Sequence, residues 1–228
     1  MKQRILVWDL PTRVFHWCLV GSFAGAMISA ESRGFLLTHI VFGYLLLGLI
    51  GFRLAWGFVG SRYARFSDFV RRPAVVMAHL RSLVARNPSG HAGHNPAGAV
   101  AIIGLLVLGA AAALSGLATF NGIAGKPMKE FHEGVSYFML TLGGAHVLGV
   151  LVTSALLREN LILSMFSGRK FGAPKDAARP AHGIVAIVLL LAVGAFAWAL
   201  ARGQLPVLID PAILAERMSS EHHHGRHR

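Results

Sequence analysis

The chain has 228 residues, of which 54% are hydrophobic and 14% are charged, and its mean hydropathy is +0.57. Soluble domains carry about a quarter charged residues, so this composition excludes an ordinary soluble domain and favours the bilayer as solvent. The formal net charge is +12 and the single cysteine is Cys18. One cysteine excludes a disulfide framework, a covalent Cys-x-x-Cys-His haem site and a cysteine metal cluster.

Five apolar stretches are long enough to cross a bilayer, which takes about 20 helical residues. They cover approximately residues 14–30, 35–59, 97–120, 131–157 and 183–201. The first stretch follows Trp8, Asp9 and Pro11 and precedes no clear cleavage pattern, so we expect a retained helix rather than a signal peptide. The sequence therefore predicts an all-α membrane protein.

Basic residues between these stretches set the expected orientation, because short cytoplasmic loops carry an excess of Lys and Arg. They precede the first stretch and fill the second and fourth connections: Lys2, Arg4, Arg13; Arg62, Arg65, Arg71, Arg72, Arg81, Arg86; Arg158, Arg169, Lys170, Lys175, Arg179. The other connections are nearly balanced, with Arg33 against Glu31, and Lys126 and Lys129 against Glu130. This predicts a cytoplasmic N-terminus and a periplasmic C-terminus, and it assigns the excess charge to anionic lipid rather than to nucleic acid.

The second connection contains an amphipathic segment, residues 73–85, that is expected to lie on the membrane surface. Its predicted apolar side holds Val75, Val76, Leu80, Leu83 and Val84, and its predicted polar side holds Arg72, His79, Arg81 and Arg86.

Four histidines fall within the predicted spans, where ionisable side chains are costly and usually functional. His16 is in the first span, His39 in the second, and His132 and His146 in the fourth. The last two are 14 residues apart, which places them within about 40° of one helix face and separates them by roughly 21 Å. One helix can thus present a ligand near each leaflet.

The predicted topology pairs these histidines by depth. His16 and His146 lie at cytoplasmic depth, whereas His39 and His132 lie at periplasmic depth. Each pair could supply both axial nitrogens of a haem iron held between helices. A lone membrane histidine is as often a hydrogen-bonding group as a ligand, but four at paired depths favour ligation.

Small residues beside the histidines suit a flat macrocycle, although glycine is also common wherever membrane helices pack closely. They are Gly43, Gly48, Gly134, Gly143, Gly144 and Gly149.

Four runs of residues carry a resemblance to a known family. They are Val7–Trp17, His39–Tyr44 together with Arg53–Gly57, Gly93–Gly98, and His132–Glu133 with His146–Val147. These runs resemble the bacterial dihaem cytochrome b-561 family, which includes the cytochrome b subunits of nickel-iron hydrogenases and is similar to the formate dehydrogenase membrane subunit. The resemblance covers about residues 7–170 and implies a four-helix core with two b haems on the same four histidines, in the same pairs. Residues 171–228 would then form a peripheral fifth span and a periplasmic tail.

The resemblance also implies electron transfer between the quinone pool and a periplasmic redox partner. His94 and Asn95 lie at the cytoplasmic mouth of the third span, where a similar asparagine of formate dehydrogenase contacts quinone; the simpler interpretation is a helix cap by Asn95 before Pro96. Arg13 and Arg53 are candidates for haem propionates, whereas positive-inside anchoring is enough to explain Arg158. Lys126 and Lys129 could attract an acidic partner surface.

The remaining histidines are not expected to bind haem. His79 and His91 are predicted to be solvated, His182 to cap the fifth span, and His222, His223, His224 and His227 to belong to a tail without a metal site.

Three function classes follow. The first is an electron-transfer subunit of the bacterial inner membrane, with two b haems, working between quinone and a periplasmic c-type cytochrome or dehydrogenase. The second is a stand-alone quinone-linked oxidoreductase acting on a small molecule such as superoxide. The third, a haem-free metal transporter, lacks intramembrane carboxylates apart from Glu133.

Overall fold

The helices of the protein form an antiparallel bundle. The computed structural model describes residues 3–30, 34–87, 92–178, 182–202 and 204. The helices are α1 (Leu10–Ala30), α2 (Leu36–Val59), α3 (Phe66–Phe69), α4 (Pro73–Val84), α5 (Pro96–Phe120), α6 (Gly125–Leu157), α7 (Leu161–Ser167) and α8 (Gly183–Ala201). The strands are β1 (Gln3–Leu6) and β2 (Arg169–Gly172), and two 3₁₀ turns cover Arg62–Ala64 and Pro174–Asp176.

Local sequence signals explain where three of the helices begin. The Asp9 carboxylate accepts a hydrogen bond from the Thr12 backbone N–H at 2.9 Å, at the start of α1. Asn95 accepts one from Gly98 N–H at 2.6 Å and is followed by Pro96 in the first turn of α5. Asn160 caps α7 in the same way, at 2.8 Å from Leu163 N–H. Each side-chain oxygen satisfies a backbone donor that the first turn of a helix leaves without a partner.

One apolar cluster joins five helices. It consists of Phe15 of α1, Leu46, Leu49 and Ile50 of α2, Leu106 of α5, Met139 of α6 and Leu189 of α8. The helices pack in the order α6, α5, α2, α1, α8, with each next to its neighbour in that series, and α8 also contacts α2. Gly109 of α5 permits the close approach, because a Cβ there would lie 2.9 Å from Ile50 Cδ1.

The bundle departs from the predicted elements in two places. Helix α6 begins at Gly125 rather than near 131, so Lys126 and Lys129 are helical and form i,i+4 ion pairs with Glu130 at 3.5 Å and Glu133 at 3.7 Å. Helix α8 was expected to be peripheral. Its Ala186 and Leu189 are buried, so the fifth helix is part of the packed core.

Outside the bundle, the chain forms a small cap over one end of the helices. We define the cap as residues 3–9, 61–69 and 160–178. Strands β1 and β2 pair antiparallel, with Ile5 opposite Lys170, so the protein is not purely α-helical as the sequence predicted. The Gly168 carbonyl accepts hydrogen bonds from Val7 N–H at 2.8 Å and Trp8 N–H at 3.0 Å. The Tyr63 hydroxyl donates to the Asp176 carbonyl at 2.6 Å, which ties the three segments together.

Helix α4 confirms the predicted boundaries of the amphipathic segment but not its two sides. His79 was expected to be solvated, yet it is 5% exposed, whereas Leu80 and Val84 are exposed. The segment packs on α5 through the side that carries His79. The exposed apolar residues therefore lie on the opposite side, where a helix resting on a membrane needs them.

Among the described helices, α2, α5 and α6 are long and apolar enough to cross a membrane. The other two predicted spans are helices as well, α1 and α8, but neither meets this measure. The count of five spans therefore stays a prediction. The predicted C-terminal tail, with its four histidines, and His91 lie outside the described residues.

Replacing Asp9 by Ala is expected to lower the free energy of unfolding by about 2–3 kcal/mol, because α1 loses its cap and the Trp56 indole N–H loses its acceptor. Thermal unfolding in detergent micelles measures the change. The matched control is Asp68→Ala, which removes only a partly exposed 3.8 Å pair with Arg62 and is expected to cost about 1 kcal/mol or less. Equal losses in the two variants would contradict this prediction.

Candidate functional site

A cavity of about 490 Å³ lies at the end of the bundle opposite the cap. We call this end the cavity end. Its walls come from the end of α1, the start of α2, the end of α5 and the start of α6, and they include His39, Gly43, Tyr44, Gly116, Lys129, His132 and Glu133. The volume is in the range of cofactor and ligand sites. Helix pairing thus brings two of the four predicted histidines to one cavity.

His39 and His132 face each other across this cavity. Their ring centres are 6.0 Å apart and their planes are inclined at 85°. The Nδ1 atom of His39 lies 2.8 Å from the Ala26 carbonyl oxygen, and that of His132 lies 2.9 Å from the Ala112 carbonyl oxygen. A carbonyl oxygen only accepts hydrogen bonds, so Nδ1 carries the proton in both rings. The Nε2 atom of each ring is then left with a free lone pair.

Residues of helix α5 fix the position of the His132 ring. Ala112, Ser115 and Gly116 are spaced i, i+3, i+4 and so share one helix face. The Ser115 hydroxyl is 3.3 Å from His132 Nδ1 and donates to the Ala112 carbonyl at 3.1 Å. A Cβ on Gly116 would lie 2.9 Å from His132 Cε1, so a larger residue displaces the ring. These residues are not among those selected from the sequence, although their i, i+3, i+4 spacing could have indicated a shared helix face.

The glycines selected from the sequence differ from Gly116. A Cβ added at Gly43, Gly48, Gly134, Gly143, Gly144 or Gly149 meets no atom within 4 Å. Gly43 lines the cavity, so its small size adds open space there. None of the six is required by close helix packing among the described residues.

His16 and His146 lie toward the cap end. The two rings are close enough for their charges to interact. The Nδ1 atom of His16 is buried and has no hydrogen-bond partner among the described residues. The Trp17 ring beside His16 stacks on Phe166 of α7 at 4.2 Å. His39 and His132 thus lie together at the cavity end, and His16 and His146 lie toward the cap end.

Two arginines bring buried positive charge to the cap end. Arg53 is 2% exposed, and its guanidinium carbon lies 5.0 Å from the centre of the Phe66 ring. The Nη1 atom of Arg53 and the Nε atom of Arg13 are buried and have no hydrogen-bond partner in the described part of the chain. A buried donor without a partner costs about 1–3 kcal/mol, so both arginines are suited to bind an acidic group.

Asp9 supplies the negative charge near Arg53. It is 1% exposed, and its second carboxylate oxygen accepts a hydrogen bond from Trp56 Nε1 at 3.1 Å. Asp9 interacts electrostatically with Arg53, although no pair within 4 Å joins them. In the sequence, Asp9 stands out only in the family motif and as a polar residue before the first span. Its burial depends on α2 lying against the start of α1, which local sequence does not reveal.

His94 is enclosed by aromatic rings at the start of α5. Its ring centre is 4.5 Å from that of Trp8 and 4.7 Å from that of Phe69. Burial lowers the pKa of His94 to about 3, and the nearby positive charges of Arg53 and Lys170 act in the same direction. The ring is therefore neutral at pH 7, with a buried Nδ1 atom that has no partner among the described residues. Asn95 points elsewhere, because its side-chain oxygen caps α5.

Comparison with known proteins decides the family. Residues 7–168 match the prokaryotic cytochrome b561 family. The chain belongs to this family. It is thus a multi-pass membrane protein of the b-type cytochromes, which carry haem b and transfer electrons.

Two relatives illustrate the similarity. A probable Ni/Fe-hydrogenase B-type cytochrome subunit of Rhizobium leguminosarum bv. viciae is 22% identical over 214 residues, which cover 74% of this chain and 90% of the relative. A probable Ni/Fe-hydrogenase 1 B-type cytochrome subunit of Escherichia coli K12 is 27% identical over 140 residues, which cover 50% of this chain and 60% of the relative. No solved structure matches the chain.

Replacing Gly116 by Val is expected to lower the haem bound per protein, because the new side chain displaces the His132 ring from its place on α5. The pyridine haemochrome assay measures the ratio. Gly51→Ala is the control, since a Cβ at Gly51 meets nothing within 4 Å and the haem content should not change. Full haem content in the Gly116→Val variant would show that haem binding does not depend on this position of the His132 ring.

Proposed function

We propose that this cytochrome holds two b haems, one between His39 and His132 and one between His16 and His146, and carries electrons across the bacterial inner membrane. One end of the route would be the quinone pool on the cytoplasmic side. The other would be a redox partner in the periplasm. The observation that carries the proposal is the geometry of His39 and His132.

The fit of this pair to a haem iron can be tested on its dimensions. A metal ion held by His39 and His132 would form bonds of about 2.0 Å to one nitrogen of each ring, which needs ring centres within about 6 Å of each other. The observed separation is 6.0 Å. Histidine ligands usually donate their second ring N–H to a backbone carbonyl, and both rings do so here, through Ala26 and Ala112. The residues present therefore fit a bis-histidine site.

The cap-end pair fits through its surroundings. His16 and His146 would each give one ring nitrogen, while Arg13 and Arg53 would bind propionate groups through donors that have no other partner. A bound haem supplies one-electron oxidation and reduction at its iron. Phe66 and Phe69 hold the Arg53 guanidinium in place, and Asp9 balances part of its charge.

His94 is the residue we propose to contact quinone. Its neutral ring lies between Trp8 and Phe69, so it can exchange a hydrogen bond with a quinone oxygen beside flat aromatic surfaces. Asn95 would contribute only through its position at the start of α5, since its oxygen is already bonded to Gly98 N–H. Proton exchange at a quinone oxygen is within the chemistry of a neutral imidazole.

The proposed partner is a hydrogenase. Both relatives carry the name of a hydrogenase cytochrome subunit, and the Rhizobium protein is matched over 90% of its length. The orientation with a cytoplasmic N-terminus rests on the basic loops, and it puts the cap on the cytoplasmic side. The cavity end and its helical lysines, Lys126 and Lys129, then face the periplasmic partner.

Replacing His39 or His132 by Ala is expected to remove the same haem, because the two residues would hold that haem together. Spectroelectrochemical titration of the purified protein should then show one remaining b-type centre, and the double variant should lose no more than either single variant. His16→Ala and His146→Ala should together define the other centre. Loss of different haems from His39→Ala and His132→Ala would contradict the pairing, and His182→Gln should keep both.

Replacing His94 by Gln is expected to slow haem reduction by a quinol about tenfold or more, with the haem content unchanged. Because the pKa of His94 is about 3, its ring is neutral from pH 5 to 8, so the reduction by quinol should be slower than in the wild type throughout this range. Stopped-flow absorbance measures the rate, and reduction by dithionite serves as the control. A lower rate of haem reduction that appears only near pH 6 would contradict a His94 ring that is neutral throughout this range.

A further inference from the structure

The cap buries a lysine that neither the haem pairs nor the proposed quinone contact uses. Lys170 is 7% exposed, although its neighbours in β2, Arg169 and Phe171, are exposed. Successive residues of a strand point to opposite faces, so β2 directs Lys170 inward while Arg169 faces outward. Lysine is rarely buried without a functional or structural reason, because removing its charge from water is costly.

The cap brings this lysine within electrostatic range of His94. The Gly168 carbonyl, two residues before Lys170, accepts both Val7 N–H and Trp8 N–H, and the Trp8 ring packs 4.5 Å from the His94 ring. Gly168 is required there, since its φ is +77° and a Cβ would lie 2.7 Å from both Arg13 Nη1 and the Trp8 carbonyl oxygen. Lys170 is close enough to His94 for its charge to act on that ring.

Glu159 connects Lys170 to the surface. It follows α6, is only partly buried, and accepts a hydrogen bond from Phe171 N–H at 2.8 Å. Glu159 also acts electrostatically on Lys170. Burial lowers the pKa of Lys170, and the Glu159 carboxylate opposes that change. The other charged or titratable groups that act on His94 are Arg53 of α2, His16 of α1 and His146 of α6.

We propose that Lys170 relays protons between His94 and Glu159, and so between the quinone and the aqueous phase on the cap side. This inference rests on the proposed quinone contact at His94. Oxidation of one quinol yields a quinone, two electrons and two protons. The electrons pass to the two proposed haems, and each proton passes through His94 to the Lys170 amine and then to the Glu159 carboxylate and water. Quinone reduction uses the same groups in the opposite direction.

Lysine suits this role and arginine does not. A buried lysine can give up and regain a proton near neutral pH, whereas an arginine side chain stays charged. The variant Lys170→Arg therefore keeps the positive charge of the cap but removes the relay. Glu159→Gln keeps an oxygen that can accept from Phe171 N–H while it removes the titrating carboxylate. Arg169→Met is the matched control, since it removes an outward-facing charge from the same strand.

The test is stopped-flow reduction of the purified, haem-loaded protein by a water-soluble quinol from pH 5.5 to 9. For the wild type, we expect a rate that rises with pH as Lys170 loses its proton and becomes able to accept one. Lys170→Arg and Lys170→Met should react about tenfold more slowly at pH 7 and lose that rise, and Glu159→Gln should be slowed as well. Arg169→Met should behave like the wild type.

Haem spectra and reduction by dithionite should be unchanged in every variant, because dithionite delivers electrons without proton exchange at His94. The proposed relay would be overturned if the Lys170→Arg variant reacted with quinol as fast as the wild type and with the same pH dependence. If Lys170→Met fails to fold, Lys170→Arg and Glu159→Gln decide the question. A wild-type protein that quinol does not reduce would instead overturn the proposed quinone contact itself.

Discussion

The hydrogen bonds from His39 and His132 to backbone carbonyls fix the chemistry at the cavity end. Within a bilayer, a polar side chain finds its partners inside the protein or pays a penalty of several kcal/mol. The Ala26 and Ala112 carbonyls meet that need on one side of each ring. Both rings therefore leave the same nitrogen, Nε2, without a hydrogen bond to those carbonyls. The order of helices around the bundle follows, because α1 and α5 must lie where those carbonyls can reach α2 and α6.

Buried polar groups have different hydrogen-bond partners at the two ends of the bundle. At the cavity end, hydrogen bonds within the chain satisfy the His39 and His132 rings, and the space between them is open. At the cap end, buried polar atoms of His16, Arg13 and Arg53 have no partner among the described residues. Under the proposed function, a His16 ring nitrogen would bind a metal ion and the two arginines would bind an acidic group. Haem b, which the family carries, offers both.

The cap determines the electrostatic environment of the cap end. At this end, β1, β2 and three aromatic rings surround four charged or titratable side chains. The rings are those of Trp8, Phe66 and Phe69, and the four side chains are Asp9, Arg53, His94 and Lys170. In such a setting charges act over longer distances than in water, because the local dielectric constant is low. The neutral His94 and the lowered pKa of Lys170 are two results of that burial. The proposed function places proton exchange and electron exchange at this end of the molecule.

The sequence by itself determined the five long helices and their approximate ends, because span length and helical rise are local or additive properties. It also indicated the family, through short runs such as Val7–Trp17. Only tertiary structure decided which neighbours complete each site. Gly116 and the Ala112 carbonyl meet His132, and β2 meets β1 across more than 160 residues. His79 and Lys170 read as exposed polar residues in the sequence, yet packing against α5 and within the cap buries them. Burial of a polar side chain depends on what folds over it, and no local pattern records that.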